Sequence, residues 1–516
     1  MTAVGRLERA ADRLLERLAL RPWRMALPVV SLAFLGILTR IVIADPDLFA
    51  RIALGRLIWA SGAIPHADPF SYTTTRAWID HEWGAGVVFY AISRLGGDLP
   101  LFLWACATAA AAIALAHAAQ RALTRHARAA LAWLCLGLAP CLIVWMPVAR
   151  SRIFTFLCFS VFLLACARLR ARGRTRLLWI LPGIMLFWAN AHAGFVAGLG
   201  TLAILTVALL LEGRRKAGLA AGAALLGCLV ATLVNPYGPA FWTYVLEAVT
   251  MSRIRVTEWH PTNLLSADGL YLVFVAGVLL AGLARDRRSI PLEGKLLLAI
   301  VFIQAVRHFR LVPLFHWLAI VYGTNAFAAV LAPLQRRWPH RFRIWRRALA
   351  MALAGAALAG AVSVGAALAR GGGYRLRYSH LPVGAMAWLV AHRDGGRLLV
   401  HFNEGSYALW RGYPDFTVSL DARYDAVYPE ETVARVAEAF YRSTPDLPAV
   451  IEEIGADYIL ICPGLSEHVA TAAQYGPRWR VIYADARCQI LSQTPNPDGR
   501  LGRPSETWPD IWTPNF

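Results

Sequence analysis

Charge is what this chain has least of. Only 16% of its 516 residues are Asp, Glu, Lys or Arg, while 58% are hydrophobic and the mean hydropathy is +0.48. A soluble domain carries about 25% charged residues, so an ordinary soluble fold is excluded. Acids are scarcer than bases, 32 against 52, for a net charge of +20. That surplus raises the question of nucleic acid. The arginines, however, fall in short clusters between apolar runs, as in the cytoplasmic loops of membrane proteins, and no nucleic-acid partner is expected. Cysteine supplies no disulfide framework: Cys106, Cys135, Cys141, Cys158, Cys166 and Cys228 lie inside apolar runs and read as small core residues. Cys462 and Cys488 lie in the C-terminal part, either as a disulfide of an oxidising compartment or as two buried thiols. That part has neither a glycine-rich phosphate loop nor a nucleophile elbow.

What the chain has is long apolar runs. Residues 1–25 read as an arginine-rich amphipathic helix on the inner membrane surface, with Glu8, Asp12 and Glu16 too frequent for a targeting presequence. The run 26–44 is the first span; it is too long for a signal-peptide core and has no good small-residue cleavage site. Further spans are expected near 101–119, 129–147, 153–167, 177–191, 195–211, 217–234, 270–284, 292–306, 311–330 and 348–368, about 11 in all. With the N-terminus inside, the clusters Arg121/Arg125/Arg128, Arg168–Arg176, Arg214/Arg215/Lys216, Arg285/Arg287/Arg288 and Arg336–Arg347 all fall on the cytoplasmic side, and the C-terminus outside. Residues 83–95 are apolar but short, and read as a juxtamembrane or re-entrant helix.

This topology gathers polar residues on the outer face. The first external loop, 45–82, carries Asp45, Asp47, Arg51, Arg56, Asp68, Asp80, His81 and Glu82. Later connections bring Arg150 and Arg152, Asn190 and His192, Glu258 and His260, and Arg307 and Arg310. Ionisable groups at membrane depth are costly and mark functional cavities, and arginines near the headgroups suit a phosphate or pyrophosphate. Plainer readings stand beside this one: Trp and Tyr as interfacial anchors, Arg51 and Arg56 snorkelling or capping a surface helix, Asp68 a turn residue and His316 a hydrogen-bonded core histidine. Asp45 and Asp47 flank Pro46 where the first span leaves the bilayer. A carboxylate there can act as general base on an acceptor hydroxyl or amine, and a D-x-D pair can bind a divalent cation such as Mg or Mn; a charged helix terminus is the alternative.

The stretches DPDLFARIALGRLIWASGAIPHADPFSYT, WIDHEW, RSRIFTF, LFWANAHAGFVAGL and NEGSYALWRGYPDFTVSLDARYDAVY resemble a bacterial branch of the GT-C superfamily of lipid-phosphate-dependent glycosyltransferases. That superfamily includes protein O-mannosyltransferases and the aminoarabinose transferase of lipid A. The resemblance implies a polytopic α-helical membrane protein with a C-terminal extracytoplasmic α/β domain, in a bacterial inner membrane. The residues themselves divide the chain into a membrane part, 26–370, an α/β domain, 371–495, and an extended tail, 496–516: in the second, GRLLVHF, DFTVSLDARY and ADYILIC read as strands, PEETVARVAEAFY and LPAVIEEIG as helices and WRVIYADARCQILSQ as a strand pair. The resemblance further implies inverting transfer of a sugar from a polyprenyl-phosphate carrier to a glycan, lipid or protein acceptor outside the cytoplasm. Asp47, or its neighbour Asp45, matches the catalytic acid. From charge and topology, Arg150, Arg152, Arg307 and Arg310 are the expected donor-phosphate ligands. His81, Glu82, Asn190, His192, Glu258 and His260 are the expected acceptor or supporting residues. A lipid-linked saccharide transporter is a second class, weakened by spans uncharged at their centres. A non-catalytic protein of envelope polysaccharide assembly on the same scaffold is a third.

Overall fold

The computed structural model of the chain describes residues 45–74, 77–144, 149–250, 256–370, 381–441, 447–462 and 475–504. The expected amphipathic helix 1–25, first span 26–44 and end of the tail from 505 lie outside the described residues.

The first external loop is half helix. α1 (Pro46–Ser61) starts at Asp45, whose carboxylate accepts the Asp47 amide at 2.9 Å, with Pro46 at the first helical position. It stops at Gly62, whose φ of +67° glycine adopts without strain. Arg51 and Arg56 do not snorkel: residues 48–56 are buried, with these two arginines 8% and 7% exposed. α2 (Trp83–Ser93) packs on α1 at two glycines. A Cβ on Gly55 would lie 2.0 Å from the Gly86 carbonyl oxygen, so only backbone-to-backbone contact fits there. At 1.5 Å per residue α2 reaches only about 16 Å, half a bilayer core.

The helical bundle follows: α3 (Asp98–Leu123), α4 (Ala127–Val144), α5 (Arg152–Arg172), α6 (Leu181–Ala189) after a 3₁₀ turn Arg176–Ile180, α7 (Phe195–Leu211), α8 (Arg215–Thr232), α9 (Ala240–Thr250), α10 (Ala267–Arg285), α11 (Leu292–Arg307), α12 (Val312–Tyr322), α13 (Thr324–Arg337) and α14 (Pro339–Arg370). The described part of each apolar run expected between 101 and 368 is mostly helix. Among the described residues, however, only α3, α5, α8 and α10 are each long and apolar enough to cross a bilayer. The run 311–330 is not one straight span: α12 and α13 are bent by 67° at Gly323, and only taken together as one broken span are they long and apolar enough for a fifth crossing. Leu279, the Ala319 carbonyl and Trp133 all crowd Gly323 there. Trp133 Nε1 donates to the Ala319 carbonyl at 2.7 Å, and a Cβ on Gly323 would sit 2.8 Å from that nitrogen. Exposed Val207, Leu211, Leu219, Leu226 and Leu280 on α7, α8 and α10 form an apolar outer surface that water would not tolerate and lipid does. His316 is buried as expected, but neither ring nitrogen has a hydrogen-bond partner; it packs between Tyr271 and Phe315.

The C-terminal part is a five-stranded sheet with helices. In chain order it runs α15 (Val383–His392), β1 (Gly396–Val400), α16 (Phe402–Gly412), β2 (Phe416–Val418), α17 (Glu430–Tyr441), α18 (Leu447–Ile454), β3 (Tyr458–Ile461), β4 (Arg480–Ala484) and β5 (Gln489–Ser492). The strand order is β2-β1-β3-β5-β4, parallel at β2/β1/β3 and antiparallel at β3/β5/β4. Cys462 and Cys488 are disulfide-bonded.

The external loop closes onto this sheet. The Val418 amide donates to Phe70 O at 3.0 Å, and Thr73 Oγ1 donates to Ser419 O at 2.6 Å, covering the free edge of β2. Asp68 is a turn residue, accepting from the Phe70 amide, and also a buried ion-pair partner: Arg423 Nη1 lies 2.6 Å from it. Arg423 also pairs with Asp421 at 2.7 Å and lies over the rings of Phe70 and Trp78.

Candidate functional site

Two rows of charge meet where α1 begins. Asp47 and Arg51 stand one turn apart on α1 and so share a face. Opposite them is the start of α5, with Arg150, Ser151 and Arg152 in succession.

In the first row, Asp47 Oδ2 contacts Arg150 Nη2, while Arg150 Nη1 lies 3.6 Å from Asp45 and 3.7 Å from Glu258. Glu258 is shared: Arg152 Nη1 is 3.6 Å away and Arg310 Nη1 3.4 Å away. Three guanidinium groups from two segments thus surround one carboxylate. The segment carrying Glu258 is strapped to the turn carrying Arg310. The Phe309 amide donates to His260 O at 3.0 Å, the Thr262 amide donates to Val306 O at 2.9 Å, and His308 Nδ1 lies 3.0 Å from Trp259 O. The Arg310 guanidinium lies over the Trp259 ring, centroid 5.4 Å.

In the second row, Glu82 accepts from Arg51 Nε at 3.0 Å and from Ser151 Oγ at 2.8 Å. Arg51 Nη1 also donates to Asp80 at 2.6 Å, and Asp80 Oδ1 accepts the Glu82 amide at 3.0 Å. His81 and His192 bring Nε2 to 3.6 Å and 3.7 Å of Glu82 Oε1. Thr155 accepts from Trp188 Nε1 at 3.0 Å, which leaves its hydroxyl to donate to His192 Nδ1 at 2.8 Å; the Gly194 amide donates to the same nitrogen at 2.9 Å. Nδ1 is therefore the acceptor, and the ring proton sits on Nε2, facing Glu82.

These surroundings set protonation. Burial pushes the Asp47 carboxyl up to about 6, against the pull of Arg150 and with the help of Asp45. Burial also opposes the charge of Glu82, but Arg51 overcomes it and holds that carboxyl well below the usual range. Burial pushes His192 down to about 3, which keeps it neutral. Arg150 is held firmly protonated, because Asp45, Asp47 and Glu258 outweigh its burial.

Of the residues singled out in the sequence, Asp45, Asp47, Arg150, Arg152, Glu258 and Arg310 come together, and so do His81, Glu82 and His192. Three do not join these rows. Arg307 is exposed at the end of α11 and takes part in none of these ion pairs. His260 is exposed and enters through its backbone carbonyl. Asn190 is a clasp: Oδ1 accepts from Trp83 Nε1 at 2.9 Å, and Nδ2 donates to Leu186 O and Val234 O. Missed as site residues were Arg51, whose place one turn after Asp47 shows only once α1 is recognised as helix, and Asp80, which Arg51 reaches from 29 residues away. A Mg or Mn ion on Asp45 and Asp47 does not fit this arrangement. Asp45 caps α1, both carboxylates turn to Arg150, and among the described residues no group of three or more His, Cys, Asp or Glu side chains is placed to hold a metal.

No protein-family model and no curated protein matches the chain by sequence. Its architecture is similar to that of solved membrane proteins. The archaeal oligosaccharyltransferase AglB from Archaeoglobus fulgidus, solved with an inhibitory peptide and a dolichol-phosphate, aligns over 85% of this chain and 69% of its own at 13% identity, TM-score 0.54. The same enzyme tethered to an acceptor peptide containing the NVT sequon aligns over the same shares at 14% identity, TM-score 0.54. ArnT from Cupriavidus metallidurans in the apo state aligns over 94% of this chain and 100% of its own at 14% identity, TM-score 0.51. Over 85% to 94% of its length this chain thus shares the fold of AglB and ArnT.

Proposed function

We propose that the chain is a membrane glycosyltransferase that moves a sugar from a polyprenyl-phosphate carrier to an extracytoplasmic glycan, lipid or protein acceptor, with inversion at the anomeric carbon. The observation that carries this reading is one carboxylate, Asp47, raised to about 6 and set against Arg150 at the edge of a three-arginine cluster. A base that is ionised at neutral pH yet close to its titration point is suited to take a proton in the transition state. The acceptor hydroxyl or amine attacks the anomeric carbon as Asp47 Oδ removes its proton. The bond to the carrier oxygen breaks, and the lipid phosphate leaves with the electron pair. Arg150, Arg152 and Arg310 lie within reach of one anion, as their shared hold on Glu258 indicates, and stabilise the charge that grows on that phosphate. Glu82, fixed by Arg51 and Ser151 with His81 and His192 beside it, orients the acceptor. The arginine-rich loops on the opposite side and the Cys462–Cys488 disulfide support placing the site and the sheet outside the cytoplasm of an inner membrane.

The test is sugar transfer from a panel of radiolabelled polyprenyl-phosphate sugars in reconstituted vesicles, native protein against Asp47→Asn. Loss of about 10²–10⁴ in rate, with carrier binding retained, is expected for removal of a general base. Undiminished transfer by the variant refutes the assignment of Asp47. Carrier binding without transfer from any donor refutes the transferase and leaves a binding protein on the same scaffold.

A further inference from the structure

A cavity of about 1660 Å³ opens between α4, α13 and α14. It lies at the end of the bundle away from Asp47. α3 is about 39 Å long at 1.5 Å per residue; its Trp104 packs at a tilt against Phe154 beside the site, and its last residue, Leu123, lines this cavity. The cavity has two chemically distinct parts. The rim carries Arg125, Arg128, Arg288, Arg341 and Arg343, with Asp286 the acid among its lining residues. Asp286 is spent on its own turn, accepting the Arg288 amide at 2.9 Å. The floor is apolar, formed by Ala132, Leu136, Phe327 and Leu331. Where rim meets floor lies Ser289, 2% exposed, whose hydroxyl has no hydrogen-bond partner. A buried hydroxyl left unpaired is costly, so its place in the wall points to a ligand oxygen. Trp338 closes one side, with Arg337 and Arg341 over its ring at 5.2 Å and 5.8 Å, and exposed Trp345 stands next to it.

We infer that this cavity binds an anionic glycerophospholipid, its phosphate held by the rim arginines and Ser289 and its acyl chains laid along the floor between α4 and α13. The charge argues for this occupant: five guanidinium groups at the mouth attract an anion, and basic pockets between membrane helices capture acidic headgroups. The apolar floor, opening from that mouth, argues for a lipid rather than a free phosphate. By the distribution of arginines this is the cytoplasmic leaflet, so the site is independent of the Asp47 cleft and of the carrier bound there.

The test is native mass spectrometry of the full chain, released from nanodiscs containing phosphatidylglycerol and phosphatidylcholine in equal amounts. Three proteins are compared with the native one: a triple variant Arg125→Ala/Arg128→Ala/Arg341→Ala, a floor variant Ala132→Trp, and a control, Arg214→Ala/Arg215→Ala, at the start of α8. The expected result is one retained phosphatidylglycerol on the native and control proteins. Its affinity falls by about a hundredfold in the triple variant, the factor expected for three headgroup charges. It is also lost in the floor variant, which keeps every charge, so the test survives misfolding of the triple variant. Equal retention of both lipids, retention unchanged in the floor variant, or retention of added polyprenyl phosphate in preference to phosphatidylglycerol overturns the inference.

Discussion

Arg150→Gln separates the two tasks assigned to that arginine. Arg150 is the strongest force keeping the Asp47 carboxyl down; burial and Asp45 push it up to about 6 in spite of it. An opposite charge at this range lowers a carboxyl by about 1–3 units, so removing it moves Asp47 to about 7–9. The sign follows from the role of base. In the proposed role Asp47 works ionised, so native activity is expected to be lost as pH falls through about 6. At pH 7 the native carboxyl is about 90% ionised, and that of the variant between about 50% and about 1%. Transfer at pH 7 therefore drops by about 2- to 100-fold on this account, and at least half of that ionisation-dependent loss is recovered by pH 9. The second task, stabilising the leaving phosphate, has no such pH dependence; its loss costs a further factor of about 10²–10³ at every pH. Arg150→Lys keeps the charge but not the fork, so its acid limb stays near that of the native protein while its rate falls. The assay is the rate of transfer in vesicles at saturating carrier from pH 5 to 9.5. A variant that is slower by one constant factor, with its acid limb unmoved, refutes the link between Arg150 and Asp47.

Three other outcomes follow from the same geometry. Glu258→Gln removes the carboxylate that competes with phosphate for Arg150, Arg152 and Arg310; because Glu258 is 28% exposed the gain is discounted to about 1 kcal/mol, and KM for the carrier falls about fivefold, whereas a rise shows that Glu258 holds the arginines in place. Asp68→Asn leaves Arg423 buried with one carboxylate in place of two and lowers stability by about 3–5 kcal/mol, read as an earlier thermal unfolding transition and faster proteolysis of the 62–82 loop; an unchanged transition refutes the role of that ion pair. Gly55→Val drives a side chain into the backbone of α2 and abolishes transfer with loss of folded protein in detergent, while the exposed Gly62→Ala, near open space, keeps the fold at the cost of left-handed strain alone.

Much of this was legible because the signals were local. Hydropathy located the helices from α3 to α14 except α9, which falls between the expected runs 217–234 and 270–284, and strand-like and helix-like runs located β1, α17, α18, β3 and the β4/β5 pair. The DFTVSLDARY run gave only the three residues Phe416–Val418 of β2, because the chain turns away there to build the Asp421–Arg423–Tyr428 cluster. α16 was not seen. NEGSYALWRG carries Gly405, whose Cβ would lie 1.9 Å from Leu420 O, so close packing governs a segment with poor helix formers. Crossing number was not legible either: α6 and α7 are apolar but short, and apolar length alone does not distinguish a crossing from a helix packed inside the bundle. At the site, the residue types were found and the pairing was not. Asp45 with Asp47 reads as a metal-binding pair in the sequence, and only the arrival of Arg150 from a segment 103 residues on turns it into an ion-pair row. Arg307 and Arg310 look alike in the sequence, yet the tight turn sends one outward and the other over Trp259.

The sheet offers no catalytic group, yet it fixes the place of Asp47. α1 carries Asp47 and is held on one side by α2, through Gly55 and Gly86, and on the other by α16, where Tyr407 meets Phe49 edge-on at 5.0 Å and Trp410 lies 6.0 Å from the Arg56 guanidinium. The chain leaving α1 is then stitched to β2 and clamped by Arg423 on Asp68. A shift of the sheet is therefore passed to α1 as a rigid body, and the distance from Asp47 to the reacting proton changes with it. A misplacement of about 1 Å is enough to cost about 10² in rate. Asp68→Asn accordingly lowers kcat under conditions where the protein is still folded, and leaves the acid limb near pH 6, because the charges around Asp47 are untouched. Arg150→Gln moves that limb. A common effect of the two variants on the limb contradicts the division of labour in which the arginine sets the charge of Asp47 and the sheet sets its position.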